Sequence, residues 1–139
     1  MWGERWADLQ PLLPDELRPY VLDFEWDADR LHALDLPVGL MSVAKLVWHL
    51  ELPWWRGERP FSVRPVDVLR RPGHYPDHRG RILDADLGCP LDLTWLEERW
   101  TIMDGIHRLA KAVVLGLPRV SVRAVPESAF SQIAVRRAA

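Results

Sequence analysis

The chain is expected to fold as an α/β (α+β) domain, a small mixed β-sheet with flanking helices and an amino-terminal helical extension. Three observations lead there. The 139 residues are 48% hydrophobic and 27% charged, the balance of one globular domain that can bury a core without metal or disulfide. From residue 90 to 125, two-residue alternation, helical periodicity and a further strand pattern follow one another. The first 60 residues instead carry scattered prolines and six of the eight tryptophans (Trp2, Trp6, Trp26, Trp48, Trp54, Trp55). The chain therefore divides into a Trp-rich helical extension (1–60), an α/β core (61–126) and a carboxy-terminal tail (127–139).

In the extension, Pro11, Pro14 and Pro19 break the opening into short pieces, with Asp15 a candidate cap. Residues 20–36 show no clean period. Ser42 is a candidate N-cap for a helix in which Val43, Leu46, Val47 and Leu50 recur until Pro53. Phe61–Leu69 reads as extended, with Pro65 at its edge or opening a short helix. Arg71–His78 is a loop, and a helix from about Asp77 to Asp86 turns Ile82 and Ala85 inward. Pro90–Trp95 and Trp100–Met103 form a hairpin around Glu97-Glu98-Arg99. Ile106–Leu115 is a strongly amphipathic helix stopped by Gly116, and Arg119–Val125 is the last strand. The tryptophans serve packing first, with a lid or a homodimer contact as the other roles open to them.

Composition narrows the function. A net charge of −2 and a pI of about 6.2 provide no basic field toward nucleic acid or acidic lipid. A lone cysteine, Cys89, excludes an internal disulfide and a cysteine cage for zinc. With no apolar run of ~18 residues and an opening unlike a secretory signal, a cytoplasmic protein without membrane association is expected. Lys45 and Lys111 are the only lysines among 18 basic residues. Arginine dominance reflects base composition first and bidentate phosphate recognition second.

The chemistry concentrates in Thr101-Ile-Met-Asp-Gly-Ile-His-Arg-Leu-Ala-Lys-Ala112. A strand entering Asp104-Gly105 and turning at once into a helix leaves backbone N–H groups unpaired at the helix start, which is an anion site. Gly105 admits a phosphate to the backbone, and His107 and Arg108 add a hydrogen bond and a fixed charge. Asp104 would repel that anion unless a cation or a proton transfer intervenes.

Strand, Asp-Gly-x-His-Arg-Leu-x-x-Ala, a small-residue helix ending in Gly and a Val-rich strand together resemble the ParB/sulfiredoxin superfamily over residues 61–126. The likeness is densest from Trp100 to Pro126. It implies that Gly105, Ile106, His107 and Arg108 hold nucleotide phosphates (ATP, ADP or CTP), with Asp104 at the reacting end or on Mg²⁺. Two activities of that superfamily are set aside by departures. The cysteine that sulfiredoxins place between the glycine and the His-Arg pair is Ile106 here, so sulfinic-acid repair has no nucleophile. The Gly-Glu-Arg-Arg signature of partitioning proteins is absent, and the 13 residues after Pro126 leave no room for a helix-turn-helix reader, which argues against DNA as a partner.

The small kinase-like branch, which includes free serine kinases, is the nearest in kind. Its base toward the acceptor hydroxyl is a carboxylate, and here the corresponding loop offers His74, Asp77 and His78. His74 is the candidate base, since an imidazole titrates near neutrality. The expected function is nucleotide binding with phosphoryl transfer to a small hydroxyl-bearing molecule. The alternatives are a catalytically silent nucleotide-sensing or protein-interaction module and, third, a ParB-like nuclease.

Overall fold

A computed structural model describes residues 6–135 of the chain, so Trp2 and the four terminal residues lie outside the described part. The mixed α+β class holds. Four strands, β1 (Val38–Ser42), β2 (Leu91–Leu96), β3 (Arg99–Asp104) and β4 (Arg119–Ala124), form one sheet in the order β1-β4-β2-β3. β4 runs antiparallel to β1 and parallel to β2, and β2 and β3 are the expected hairpin. Glu97 and Glu98 turn it with φ of 49° and 61°.

Among the described residues six α-helices accompany the sheet: α1 (Trp6–Leu9), α2 (Ala28–Ala33), α3 (Pro65–Arg70), α4 (Pro76–Asp84), α5 (Ile106–Val114) and α6 (Phe130–Ile133). The main core, Leu46, Val68, Ile82, Leu91, Leu93, Ile102 and Leu109 among others, fills one face of the sheet beneath α3, α4 and α5. A second cluster of Leu31, Val125, Ala129 and Ile133 joins α2 and α6, flanked by Phe24, Trp26 and Met103. β2 is thereby buried from Leu91 to Thr94, its polar residues included.

Several segments differ from the sequence expectation. The helix expected after Ser42, where β1 ends, is instead two 3₁₀ turns, Val43–Lys45 and Val47–Glu51. Ser42 still caps, accepting Ala44 N–H at 3.2 Å, but the cap opens one turn rather than a helix. His49 explains why the chain stays in turns there. Its Nδ1–H donates to Leu46 O at 2.7 Å, and its Nε2 accepts Ile102 N–H from β3 at 2.9 Å. A buried imidazole so ties the turn to the sheet edge.

The segment Phe61–Leu69 resolves into α3 with Pro65 in its first turn, where a missing N–H costs nothing. β1 falls within the segment read as a helical extension and pairs with β4, so the sheet draws on both sides of residue 60. The described part of the tail is folded too. Ile133 is fully buried and Asp27 N–H donates to its carbonyl at 2.8 Å. No helix among the described residues is long and apolar enough to cross a membrane.

Candidate functional site

Gly105 makes the site by its backbone. Its φ of 122° belongs to glycine, and a Cβ there would lie 2.8 Å from Leu91 Cγ. That conformation turns β3 into α5 within a single residue. The first helical hydrogen bond runs from Leu109 N–H to Gly105 O at 2.9 Å, so the amides of Ile106, His107 and Arg108 precede it, and no side chain caps them. Gly105, Ile106, His107 and Arg108 all line one cleft of about 580 Å³ with Trp54, Trp55, Arg81 and Asp84.

His107 is held by two neighbours. Its ring stacks on Trp55 with centroids 4.0 Å apart and planes 7° apart. His78 stacks on the same indole at 4.7 Å and 11°, and its Nδ1 lies 3.2 Å from His107 Nε2. The tautomers follow from Arg56 O, which can only accept. His78 Nε2–H donates to it at 2.6 Å, so His78 Nδ1 keeps a lone pair and accepts from His107 Nε2–H. Burial, then His78 and the Arg81 guanidinium, hold the His107 imidazole down to about 4. Neutral His107 serves the site as a wall, while Arg81 supplies a nearby positive charge.

Arg108 and Asp104 are engaged on the far side of the helix start. Arg108 Nη2 donates to Asp104 Oδ2 at 3.1 Å, and Arg108 Nη1 donates to Pro90 O at 2.5 Å. The same Asp104 oxygen lies 2.7 Å from Nε2 of His32, which comes from α2, 72 positions earlier in the chain. Asp92 faces Asp104 across the hairpin at a register shift. Two carboxylates so placed repel unless neutralised. Arg123 meets the need on one side with Nε 2.7 Å from Asp92 Oδ1, its other nitrogens donating to Leu31 O and Leu34 O at the end of α2. Arg108 meets it on the other.

The cation expected on Asp104 does not suit this donor set. Ligand atoms of His32, Asp92 and Asp104 lie within 4.8 Å of one another, near enough to share an ion. Each carboxylate, however, is already bonded to a guanidinium. At an effective dielectric of ~20, a unit-charge pair 4 Å apart is worth about 4 kcal/mol. Two guanidiniums therefore cancel, to first order, what two carboxylates offer a dication. The arrangement is a self-neutralised cluster rather than a cation cage.

His74 is exposed at the end of a 3₁₀ turn, Pro72–His74, with its ring 6.5 Å from that of Tyr75. It lines neither the cleft that holds Asp104 nor the one that holds His32. Asp77, in the first turn of α4, is exposed as well. The histidine from this region that enters the site is His78. Sequence reasoning missed three participants: Trp55 as a stacking floor, Arg81 as a cleft charge, and His32. Only the Trp54-Trp55 pair signals itself locally, as two large aromatics beside a turn.

Two further cavities adjoin. An apolar one of about 440 Å³, walled by Trp6, Phe24 and Trp26, shares Trp54, Met103 and Ile106 with the first. A smaller one of about 310 Å³ shares Arg108 and is lined by His32, Asp92, Arg123 and Cys89. No family model, curated protein or solved structure matches the chain.

Proposed function

We propose that this chain is a nucleotide-binding protein of the ParB/sulfiredoxin type that transfers a phosphoryl group to a small hydroxyl-bearing molecule. The observation that carries the reading is the start of α5. Three uncapped amides and the positive end of a nine-residue helix meet Arg81 in a cleft of about 580 Å³. Oriented amides and a helix dipole favour an anion without any side chain having to move. A bare phosphate would leave the adjoining aromatic cavity without a purpose. A nucleotide uses both, its phosphates on the amides of Ile106, His107 and Arg108 and its base against Trp54 and the apolar wall behind it.

Phosphoryl transfer asks the protein for position and charge more than for covalent chemistry. Arg81 and the α5 amides would draw charge off the phosphates. Asp104, already bonded to Arg108 and His32, stands beside the amides at the reacting end. The silent sensor remains the second reading, and the completeness of the Asp104–Arg108 pair favours it, since a satisfied pair has no need of substrate.

The test is thermal stability with ATP, ADP, CTP, GTP and pyrophosphate, each with and without Mg²⁺. A ligand at a hundred times its dissociation constant adds about 2.7 kcal/mol, several degrees in a domain of this size. The expected result is a shift for one nucleotide larger than that for pyrophosphate, reduced in Arg81→Ala. No shift with any ligand would end the nucleotide reading.

A further inference from the structure

We propose that the chain pairs with a second copy of itself through the free edge of β1, joining two four-stranded sheets into one. The pairing goes beyond the phosphoryl-transfer reading and does not depend on it.

The sheet has two edges, and they are built differently. On the outer side of β3, His49 Nε2 accepts Ile102 N–H, and Asp104 at the strand end is bonded to Arg108 and His32. Arg99 opens that strand with a charge. β1, by contrast, holds no charged residue and no proline, and no described strand pairs with its outer side. Val38 and Leu40 are the two most exposed large apolar side chains described, at 61% and 64%. An edge of this kind is a template for another strand, and chains that keep one alone guard it with charge, proline or a bulge.

The register of β1 against β4 decides which of its backbone groups are free. Val43 N–H donates to Pro118 O at 2.9 Å, and the same ladder sets Met41 opposite Val120 and Gly39 opposite Val122. Hydrogen-bonded pairs recur at every second residue of an antiparallel ladder, so Gly39 and Met41 turn their N–H and C=O toward β4. The far side of β4 agrees. Val125 N–H donates to Leu93 O at 2.7 Å, so Ser121 and Arg123 face β2 while Val120 and Val122 face β1. Val38 and Leu40 therefore present N–H and C=O outward, and Ser42 its N–H.

This pattern is complementary to itself. A two-fold axis at Leu40 runs two copies of β1 antiparallel, with Leu40 opposite Leu40 of the second copy and Val38 opposite its Ser42. Outward groups then meet outward groups. A shift by one residue would set them against inward ones, and a shift by two would give up one of the three facing pairs. Facing residues share a face of the sheet, so the two Leu40 side chains meet at the axis, each diagonal to the other copy's Val38. Charge favours the same orientation. Asp35 before β1 and Lys45 after it lie equally far from Leu40 in sequence, and the antiparallel arrangement brings the acid of each copy to the base of the other. Among the described residues neither takes part in an ion pair. Each copy spends its one bare edge, so the assembly closes at two.

The test is sedimentation of the full chain without nucleotide, from micromolar to near-millimolar concentration. The expected result is a concentration-dependent dimer of the 16.1 kDa chain. Leu40→Lys and Leu40→Glu each set like charges face to face at the axis, and each should raise the dimer dissociation constant at least about tenfold. Mixed in equal amounts, the two variants should recover the dimer, because the introduced lysine then meets the introduced glutamate. Amide exchange in the native chain reads the main chain without any substitution. Leu40 N–H should slow as the dimer forms, whereas Gly39 and Met41 N–H should be protected at every concentration. A chain that stays monomeric at the highest concentration would overturn the proposal. A dimer indifferent to both variants would do the same and place the contact elsewhere, with the tryptophans the next surface to test. Assemblies growing beyond two copies would overturn the closed pairing.

Discussion

His78 Nδ1 and His107 Nε2 stand 3.2 Å apart, and both rings lie flat on the indole of Trp55. The Arg56 carbonyl anchors the far end by accepting His78 Nε2–H, so one hydrogen-bonded chain links Arg56, His78 and His107. α4 and α5 meet at this contact, and with it the orientation of the α5 amides is fixed.

Acid should therefore loosen the fold well above the carboxylate range. Burial holds His49 and His107 each to about 4, against 6.5 for an ordinary imidazole. A base with a depressed folded pKa binds more protons when unfolded, so its contribution is complete above 6.5 and is lost as pH falls toward 4. For His49 that contribution is about 3 kcal/mol, at 1.36 kcal/mol per pKa unit, and for the less buried His107 it is smaller. Urea denaturation at pH 7.5, 6, 5 and 4 should show stability dropping across this window. An unchanged midpoint down to pH 4 would mean that neither ring is neutral because of burial.

Gly105→Ala should cost well over 1 kcal/mol, whereas Gly116→Ala should cost about 1 kcal/mol. Both glycines have positive φ, 122° and 70°, but a Cβ at Gly105 also meets Leu91, while nothing lies within 4 Å at Gly116. The difference between the two melting points measures the close approach separately from the backbone strain. Equal losses would show that Leu91 moves aside freely.

The Asp92–Arg123 pair is nearly closed to water, with side chains 2% and 10% exposed. Arg123→Met should cost about 3–5 kcal/mol, because it strands a buried carboxylate and frees two carbonyls at the end of α2. Adding Asp92→Leu should recover part of that loss. Guanidinium denaturation of the single and double variants reads the recovery directly. A double variant less stable than Arg123→Met alone would show that Asp92 has a role beyond its partner.

Arg108 and Arg81 should separate support from ligand binding. Arg108→Ala should lower stability without ligand by about 1–3 kcal/mol, since it loses bonds to Asp104 and Pro90. Arg81 is exposed, so Arg81→Ala should leave the melting point within about 0.5 kcal/mol of native and diminish only the nucleotide-induced shift. Paired melting curves with and without nucleotide are sufficient. A full nucleotide shift in Arg81→Ala would remove that side chain from the phosphate site.

What the sequence by itself determined was local. Alternation in Leu91–Leu96 and Arg99–Asp104 specified the hairpin, the apolar stripe through Leu109 and Ala112 specified α5, and Asp104-Gly105 specified the abrupt turn between strand and helix. Those signals work because side chains repeat at the period of the backbone they ride on. The uncapped amides at the start of α5 were legible for the same reason.

The rest depended on what the sheet's second face packs against. Asp92 and Thr94 alternate with Leu91 and Leu93 along β2, yet α2 and α6 lie on their side and bury both. Neither short helix has enough length for its period to declare a face. His32 carries no local sign of its contact with Asp104, which is 72 positions away and meets it only once α2 docks. The 3₁₀ turns after Ser42 replaced a helix because buried His49 was worth more to the β3 edge than to a helical stripe, a choice between distant partners that no local pattern records.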